Sequence, residues 1–344
     1  MSKKELPLPP YFNPDKVSQL WRVSYEERFR DALQWSKLQS IPPAHEDSLG
    51  VCLILVDVQN TFCLPDFELY VRGRSGTGAI DDNRRLCKFI YKNLHRITQI
   101  SPTMDTHQIL QIFHSIFLID EVGEHPSSYT LISEEEIRAG RWKINPAILP
   151  TLQLESSYTQ AYLQHYVHEL RKTGKYDLTI WPYHAMLGGI GHALVPAIEE
   201  AIFFHSVARC CQPDFQIKGD HPLTEHYSVI GPEVMEDAEG KSIATRNDAF
   251  LQKLTNFEMI VIAGQAKSHC VAWTIDDLLK EMHSKDEEWV RKVYLLEDCT
   301  SPVVIEGIID YTEDADRTFQ RFADAGMNIV RSTTPIEKWP KIKE

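Results

Sequence analysis

The stretch 258-EMIVIAGQAKSHCVAWTIDDLL-279 places a short apolar run directly before a helical pattern, with a cysteine at the junction. The run from Met259 to Gly264 is apolar on both faces, which is typical of a buried strand in a parallel sheet. Cys270 then falls in the first turn of the following helix. Unpaired backbone N–H groups and the positive end of the helix dipole favour a thiolate there, so Cys270 is a candidate nucleophile as well as a candidate core residue.

The same alternation of apolar runs and helical patterns continues along most of the chain. Strands that are apolar on both faces and separated by helices predict a mainly parallel central sheet in a three-layer α/β/α fold. The predicted strands are 51–57, 97–101, 177–181, 201–206, 259–264 and 292–298. The predicted helices are 82–96, 157–173, 191–201, 270–282 and 312–326.

Two segments depart from this alternation. Residues 1–47 predict an N-terminal extension that contains one helix, for which Ser24 and Glu27 form a capping box. We expect this extension to pack on the main domain or on a second subunit. The main domain is predicted to span 48–337, with an insertion around 108–176 where the regular pattern is lost.

Composition and charge exclude several classes of partner. The 344 residues include 36 Lys+Arg and 49 Asp+Glu, for a net charge of −13, and no long basic run is present. Nucleic acid and anionic membrane surfaces are therefore not expected as partners. The N-terminus lacks the apolar region of a signal peptide, and no window has the length of a membrane span, so we expect a cytoplasmic protein.

The chain has seven cysteines, an odd number without tight spacing. This pattern argues against a disulfide framework and against a zinc site built from thiolates. A buried, inert thiol is the usual fate of a free cysteine, but one of the seven remains available for catalysis.

Chemically active residues follow the predicted strands, at the edge where parallel sheets bind ligands. They are Asp57, Asp105, His107, His184, Lys218 and Cys270. Singly, each has an ordinary structural role as a turn cap, a solvated lysine or a buried thiol. Together they predict a site in which the Lys218 ammonium lowers the pKa of the Cys270 thiol. A nearby carboxylate could accept the thiol proton and pass it to a leaving amine.

Asp105 and His107 also predict a metal site. They lie two residues apart, so an extended backbone puts both side chains on one face, and His184 joins them from the next predicted strand. One Asp and two or three His, without a cysteine ligand, suit a divalent Zn²⁺, Fe²⁺ or Mn²⁺ ion with positions open to water or substrate.

Five short motifs occur in a recognisable order: 57-DVQNTF-62, 105-DTH-107, 181-WPYH-184, 218-KG-219 with 227-YS-228, and 264-GQAKSHCV-271. In this order they resemble the isochorismatase-like cysteine hydrolases, and within them the nicotinamidases. The resemblance extends from about residue 51 to 335.

The resemblance implies a catalytic triad of Asp57, Lys218 and Cys270. The cysteine attacks an amide carbonyl, ammonia leaves, and water cleaves the thioester. The resemblance also implies a cis peptide between Gln265 and Ala266, with the N–H groups of Ala266 and Cys270 as an oxyanion hole.

For the metal, the resemblance implies that His114 is a further ligand and that the ion accepts the pyridine nitrogen of nicotinamide. Aromatic residues would pack on that ring, and Phe62, Trp181 and Tyr227 stand at the matching positions. Members of the family are often oligomers, which favours a homo-oligomer.

Several positions differ from the family pattern. Ala185 replaces a cysteine, Lys267-Ser268 replaces a Thr-Asp pair, and about 73 residues separate His107 from Trp181. The leading hypothesis is hydrolysis of nicotinamide to nicotinate and ammonia, in NAD salvage. The alternatives are another small amide, an isochorismatase-type reaction, and a non-catalytic binding module on the same fold.

Overall fold

A parallel sheet of six strands forms the centre of the computed structural model, which describes residues 5–174, 176–285 and 287–340. The strands are β1 Val51–Val56, β2 Gln99–Asp105, β3 Leu118–Ile119, β4 Leu131–Ile132, β5 Lys143–Ile144, β6 Leu178–Thr179, β7 Gln216–Lys218, β8 Met259–Gly264, β9 Val293–Leu296, β10 Val304–Ile305, β11 Ile309–Asp310 and β12 Asn328–Val330. The central sheet has the strand order β12-β9-β8-β1-β2-β7, and each neighbouring pair is parallel.

Helices flank this sheet, which confirms the predicted fold class. The helices are α1 Tyr25–Gln39, α2 Asn60–Cys63, α3 Gly78–Asn93, α4 Glu134–Arg138, α5 Leu149–Leu152, α6 Ser156–Lys172, α7 Pro196–Arg209, α8 Asp248–Leu254, α9 Cys270–Lys285, α10 Glu287–Val290 and α11 Thr312–Asp324. Helix α7 packs against both α1 and α3, and α9 packs against α11. Among the described residues, no helix is both long and apolar enough to cross a bilayer.

The two central strands are β1 and β8, and every residue of both is buried. Their register pairs Val51 with Met259 and Val56 with Gly264. Because parallel strands in register end at the same level, Asp57 and the residues after Gly264 leave the sheet side by side. The apolar runs in the sequence therefore determine where the first and last catalytic motifs meet.

The predicted strand 201–206 is wrong, because these residues belong to α7. The run AIFFHS contains aromatic and β-branched residues that favour a strand. In the structure Ala201, Phe204, His205 and Ala208 are buried at helical spacing, so packing on both α1 and α3 overrides the local preference.

Other strand boundaries also differ from the prediction. Strand β2 continues past Pro102 to Asp105, although a proline usually demotes a strand. The short strands β7 and β12 were not predicted, since three polar-flanked residues carry little periodicity. Of the predicted strand 177–181 only β6 is extended, and it pairs with β4 outside the main sheet.

The N-terminal segment packs on the main domain through α1 and α7. Arg28 lies 3.4 Å from Glu200 of α7, and the buried Arg209 pairs with Asp47. The predicted capping box is wrong, because the Ser24 side chain makes no capping hydrogen bond. Tertiary contacts, both these ion pairs and the burial of Val17, Ala32 and Trp35 in the core, hold this segment instead of a local cap.

The segment predicted as an insertion contains the antiparallel pairs β3–β5 and β4–β6 and the helices α4, α5 and α6. Its long helix α6 is anchored beside the strand ends. Tyr162 Oη donates a hydrogen bond to the Leu223 carbonyl, and the Glu225 N–H donates to Tyr166 Oη. Helix α6 therefore supports the residues that follow Lys218.

Gly264 is the residue at the end of β8 that a side chain cannot replace. Its φ is +116°, and a Cβ there would lie 2.1 Å from the Val56 carbonyl oxygen. We expect Gly264→Ala to lower the free energy of unfolding by at least about 3 kcal/mol, through backbone strain and a clash in the central strand pair. The urea midpoint, followed by tryptophan fluorescence and circular dichroism, measures the loss.

Gly123→Ala is the matched control. Gly123 also has a positive φ, +89°, but nothing lies within 4 Å of its would-be Cβ. We expect this variant to lose about 1 kcal/mol, the cost of the backbone conformation alone. Equal losses in the two variants would show that the contact with Val56 does not matter.

Candidate active site

Four strand ends bring three charged side chains and a thiol together. Lys218 Nζ lies 3.0 Å from Asp57 Oδ2, 2.9 Å from Asp105 Oδ1 and 3.6 Å from Cys270 Sγ. The same ammonium donates to the His226 carbonyl at 3.0 Å. All four side chains are buried. Lys218 therefore contacts both Asp57 and Cys270, the two residues predicted to join it in a triad.

Asp57 is held in place by Thr103 of the neighbouring strand. The Asp57 N–H donates to Thr103 Oγ1 at 3.0 Å, and the Thr103 hydroxyl donates to Asp57 Oδ1 at 2.5 Å. This reciprocal pair leaves Oδ2 for Lys218. Asp57 has a positive φ of 46°, which aspartate tolerates better than most residues.

Gln59 joins the ends of β1 and β2. Its side-chain amide donates to the Asp105 carbonyl at 2.8 Å and accepts from the Asp105 N–H at 2.8 Å. These two hydrogen bonds join the chain after β1 to the end of β2, beyond the last residues that pair within the sheet. The glutamine of the DVQNTF motif thus has a structural explanation: it sets the position of Asp105 relative to Asp57.

The turn before Cys270 contains the expected cis peptide between Gln265 and Ala266. The Gln265 side chain donates to Asp82 Oδ2 at 3.0 Å and accepts from the Ser301 N–H at 3.3 Å. Within the described parts of the chain, neither the Ala266 N–H nor the Cys270 N–H has a protein acceptor. Both donors are available to an oxyanion.

Burial controls the protonation of the triad. It raises the pKa of the Cys270 thiol well above its usual value, with the Lys218 ammonium acting in the opposite direction. The expected lowering of the thiol pKa is therefore not found. Burial likewise raises the pKa of Asp57, again opposed by Lys218. A carboxylate made more basic beside a neutral thiol is suited to accept the thiol proton.

Lys218 stays charged despite its burial. Desolvation lowers its pKa, but the carboxylates of Asp105 and Asp57 outweigh this and raise it well above the usual value. The opposite holds for Asp105. Burial raises its pKa, but His107 and Lys218 have the larger effect, so the pKa of Asp105 lies well below the usual carboxyl value. The ammonium and the Asp105 carboxylate are both ionised at neutral pH.

A cluster of three buried histidines lies beside this charged group. Ligand nitrogens of His107, His114 and His184 lie within 4.8 Å of one another. Asp105 Oδ2 is 3.1 Å from His107 Nε2 and 3.7 Å from His184 Nε2. All four residues predicted as metal ligands are thus adjacent.

The chemistry of this cluster fits a metal ion. The Nδ1 atoms of His114 and His184 bond the carbonyls of Ile109 and Pro182, at 3.0 and 2.7 Å, which leaves their Nε2 atoms for a ligand. Within the described residues, His114 Nε2 and His107 Nε2 are buried and form no hydrogen bond. Burial lowers the pKa of His114 to about 4, so its nitrogen is unprotonated at neutral pH.

Gly219 provides the space that this cluster needs. Its φ is +90°, and a Cβ there would lie 2.6 Å from Asp105 Oδ1 and 3.1 Å from His107 Nε2. The loop that carries His184 is fixed by backbone bonds to both other histidine segments. The His107 N–H donates to the Ala185 carbonyl, and the Trp181 N–H donates to the Phe113 carbonyl.

A small pocket opens between Cys270 and the histidine cluster. The predicted aromatic residues Phe62, Trp181 and Tyr227 line it, and Trp181 Nε1 donates to Tyr227 Oη at 3.1 Å. The complete lining is Phe62, Leu69, Val71, Asp105, Trp181, His184, Glu225, Tyr227, Ala266, His269, Cys270 and Val303. Its walls are mostly apolar, as in small-molecule sites.

Two polar lining residues were not predicted. Glu225 is buried, and burial raises its pKa well above the usual carboxyl value. His269 directly precedes the nucleophile, a position that could have drawn attention to it. The insertion also approaches the cavity, because Tyr176 Oη donates to the Ser268 carbonyl at 2.9 Å.

The sequence matches no protein-family model and none of the curated proteins. Solved structures do resemble it. The yeast nicotinamidase bound to the inhibitor nicotinaldehyde has a TM-score of 0.50 and 15% identity, over 82% of this chain and 99% of that one. An Acinetobacter baumanii nicotinamidase/pyrazinamidase has a TM-score of 0.49 and 17% identity, over 84% and 99%. At such identity the likeness concerns the fold alone, which this chain shares with the yeast nicotinamidase.

Proposed function

We propose that the protein is a metal-dependent cysteine amidohydrolase that cleaves a small carboxamide to its acid and ammonia, with nicotinamide as the leading substrate. The observation that carries this proposal is the buried contact of Cys270 Sγ with Lys218 Nζ at 3.6 Å, and of Lys218 Nζ with Asp57 Oδ2 at 3.0 Å. Cys270, at one end of this chain of contacts, lines the mostly apolar pocket.

In the proposed first half-reaction, Asp57 accepts the proton of the Cys270 thiol while the sulfur attacks the carboxamide carbon. A C–S bond forms, and the carbonyl oxygen gains the negative charge. The N–H groups of Ala266 and Cys270 stabilise that charge. Asp57 then transfers its proton to the amide nitrogen, the C–N bond breaks, and ammonia leaves a thioester on Cys270.

In the second half-reaction, Asp57 accepts a proton from water as the water oxygen attacks the thioester carbon. The C–S bond then breaks, the proton returns to the Cys270 sulfur, and the acid is released. Lys218 remains protonated throughout, since two carboxylates hold its pKa well above the usual value. Its ammonium offsets the negative charge that moves between sulfur and carboxylate.

The proposed metal ligands are Asp105, His107, His114 and His184. Asp105 and His184 also line the cavity, so an ion bound there would face the substrate. A Zn²⁺, Fe²⁺ or Mn²⁺ ion in such a site supplies Lewis acidity toward an electron-pair donor of the substrate. The triad residues perform every proton transfer described above.

Nicotinamide is the leading substrate because the five sequence motifs and the fold resemble nicotinamidases, and because aromatic side chains line the cavity. Tyr176 donates a hydrogen bond to the loop that precedes Cys270, and the His269 side chain lines the cavity. Both residues shape the wall against which a substrate would bind. Other small aromatic carboxamides therefore belong in the same assay.

The proposed triad predicts that Cys270→Ala abolishes ammonia release from nicotinamide. We expect Asp57→Asn to lower kcat by roughly 10³-fold or more, because an amide keeps the Thr103 hydrogen bond but cannot accept the thiol proton. A coupled ammonia assay on the purified protein measures both.

Cys87→Ala is the matched control for these variants. Cys87 is a buried free cysteine in α3, outside the cavity lining, and its removal should leave kcat unchanged. Turnover that persists in Cys270→Ala would contradict the triad. Turnover of other amides but not nicotinamide would keep the reaction class and replace the substrate.

The proposed metal site predicts that His114→Asn lowers the metal content per chain, measured by elemental analysis. The asparagine amide can keep the hydrogen bond to the Ile109 carbonyl that His114 Nδ1 makes, so the variant removes Nε2 selectively. We expect at least a tenfold weaker affinity for Zn²⁺.

His125→Asn is the control, because His125 Nδ1 also bonds a carbonyl, that of Leu118 at 2.7 Å, but lies outside the cluster. Its metal content should match that of the wild-type protein. A His114→Asn protein with full metal content would remove His114 from the ligand set.

A further inference from the structure

Asp82 is a buried carboxylate that the proposed reaction does not use. It lies near the start of α3, is 2% exposed, and its Oδ2 accepts a hydrogen bond from Gln265 Nε2 at 3.0 Å. Its Oδ1 accepts from Arg85 Nη2 at 2.9 Å. Gln265 directly follows β8 and is itself buried. The contact therefore joins α3 to the turn that leads to Cys270, between residues 183 positions apart in the chain.

The Gln265 carboxamide is bonded through both of its polar atoms. Nε2 donates to Asp82, and Oε1 accepts from the Ser301 N–H at 3.3 Å. Ser301 also accepts at its carbonyl from the Lys267 N–H at 2.8 Å. The chain is thus held on both sides of Ala266, whose N–H is one of the two donors proposed for the oxyanion. Gln265 supplies the hold on one side, and Asp82 fixes Gln265.

The charge of Asp82 does not favour folding. Burial raises its pKa to about 6, and hydrogen bonds from Ser301 and Gln265 together with the charge of Arg85 act in the opposite direction. A carboxyl whose pKa is higher in the folded than in the unfolded chain contributes most stability at low pH, and that contribution falls as the pH rises to neutrality. The ionised Asp82 therefore lowers stability at neutral pH, which favours a functional role over a purely structural one.

We infer that Asp82 is a positioning residue for the oxyanion hole: through its hydrogen bond to the Gln265 carboxamide, it fixes the backbone that directs the Ala266 N–H into the cavity. This inference rests on the proposed amidohydrolase function. Ala266 and Cys270 line the cavity and Asp82 lies outside that lining, so Asp82 acts through Gln265 and not on the substrate. A displaced Ala266 N–H would stabilise the charge on the carbonyl oxygen less well, without moving the thiol.

The test separates the hydrogen bond from the charge. Asp82→Leu offers no acceptor to Gln265, whereas Asp82→Asn keeps one oxygen that can accept from Gln265 Nε2. Gln265→Met removes the other partner, alone and together with Asp82→Leu. This variant leaves Asp82 paired with Arg85, so it tests the same bond even where Asp82→Leu fails to fold.

Two rates are measured for each variant. One is ammonia release from nicotinamide, pyrazinamide and benzamide, which gives kcat and KM. The other is alkylation of Cys270 by iodoacetamide, followed by mass spectrometry of the peptide that contains it. In alkylation the sulfur replaces iodide, the thiol proton passes to solvent, and the carbonyl group of the reagent is unchanged. Alkylation therefore reports the thiol, whereas kcat reports the oxyanion hole as well.

We expect Asp82→Leu and Gln265→Met each to lower kcat by roughly 10-fold or more, with KM and the alkylation rate within about twofold of the wild-type values. Asp82→Asn should retain most of kcat, because it keeps the bond to Gln265. The double variant should lose no more than the poorer single variant, since both side chains act through one hydrogen bond.

Asp276→Leu is the matched control. Asp276 is another buried carboxylate, but it pairs with the exposed Lys280 and Arg321, away from the turn before Cys270. Its kcat should match the wild-type value, and urea midpoints show that each variant is folded. Full kcat in Gln265→Met, an Asp82→Asn protein as impaired as Asp82→Leu, or alkylation that falls in parallel with kcat would overturn the inference. A wild-type protein that releases no ammonia from any of the three carboxamides would overturn the proposed function, and this inference with it.

Discussion

The buried ammonium of Lys218 is the interaction on which the site depends. It lies about equally far from Asp57 and Asp105, and all three charged groups are removed from water. Burying each ion costs several kcal/mol, so the arrangement requires that the opposite charges stay in contact. Because the three residues come from the ends of β1, β2 and β7, keeping these charges paired also keeps three strand ends in register.

Asp105 connects the triad to the histidine cluster by dividing its two oxygens between them. Oδ1 accepts from Lys218 at 2.9 Å, and Oδ2 faces His107 at 3.1 Å. Two carboxylates and one ammonium leave one negative charge in excess, which faces the histidine nitrogens. This excess favours a cation in the cluster. Catalysis and metal binding are thus electrostatically dependent on each other in the function proposed above.

The environment of Cys270 differs from the one that its place in the sequence suggests. The start of a helix and a neighbouring ammonium favour a thiolate, yet burial has the larger effect and raises the pKa of the thiol. The same burial makes Asp57 more basic. In the proposed function the thiol and the carboxylate therefore share one proton, and the Cys270 sulfur loses it only when the carboxylate accepts it. The aromatic rings around His269 also keep water away from the part of the cavity next to Cys270.

Much of the fold and of the site could be predicted from the sequence. The apolar runs of β1 and β8 identified the two central strands, and the short motifs after the strands identified Asp57, Asp105, Lys218 and Cys270. Tertiary structure decided the rest. It made a helix of 201–206, added the three-residue strand β7, and brought His114 to the cluster through backbone pairing with Trp181. It also turned His269 into a cavity residue. Local periodicity and the order of motifs can be read from the sequence, because they depend only on residues that are close together in the chain. Burial, tautomers and contacts between distant loops depend on residues that become neighbours only when the chain folds.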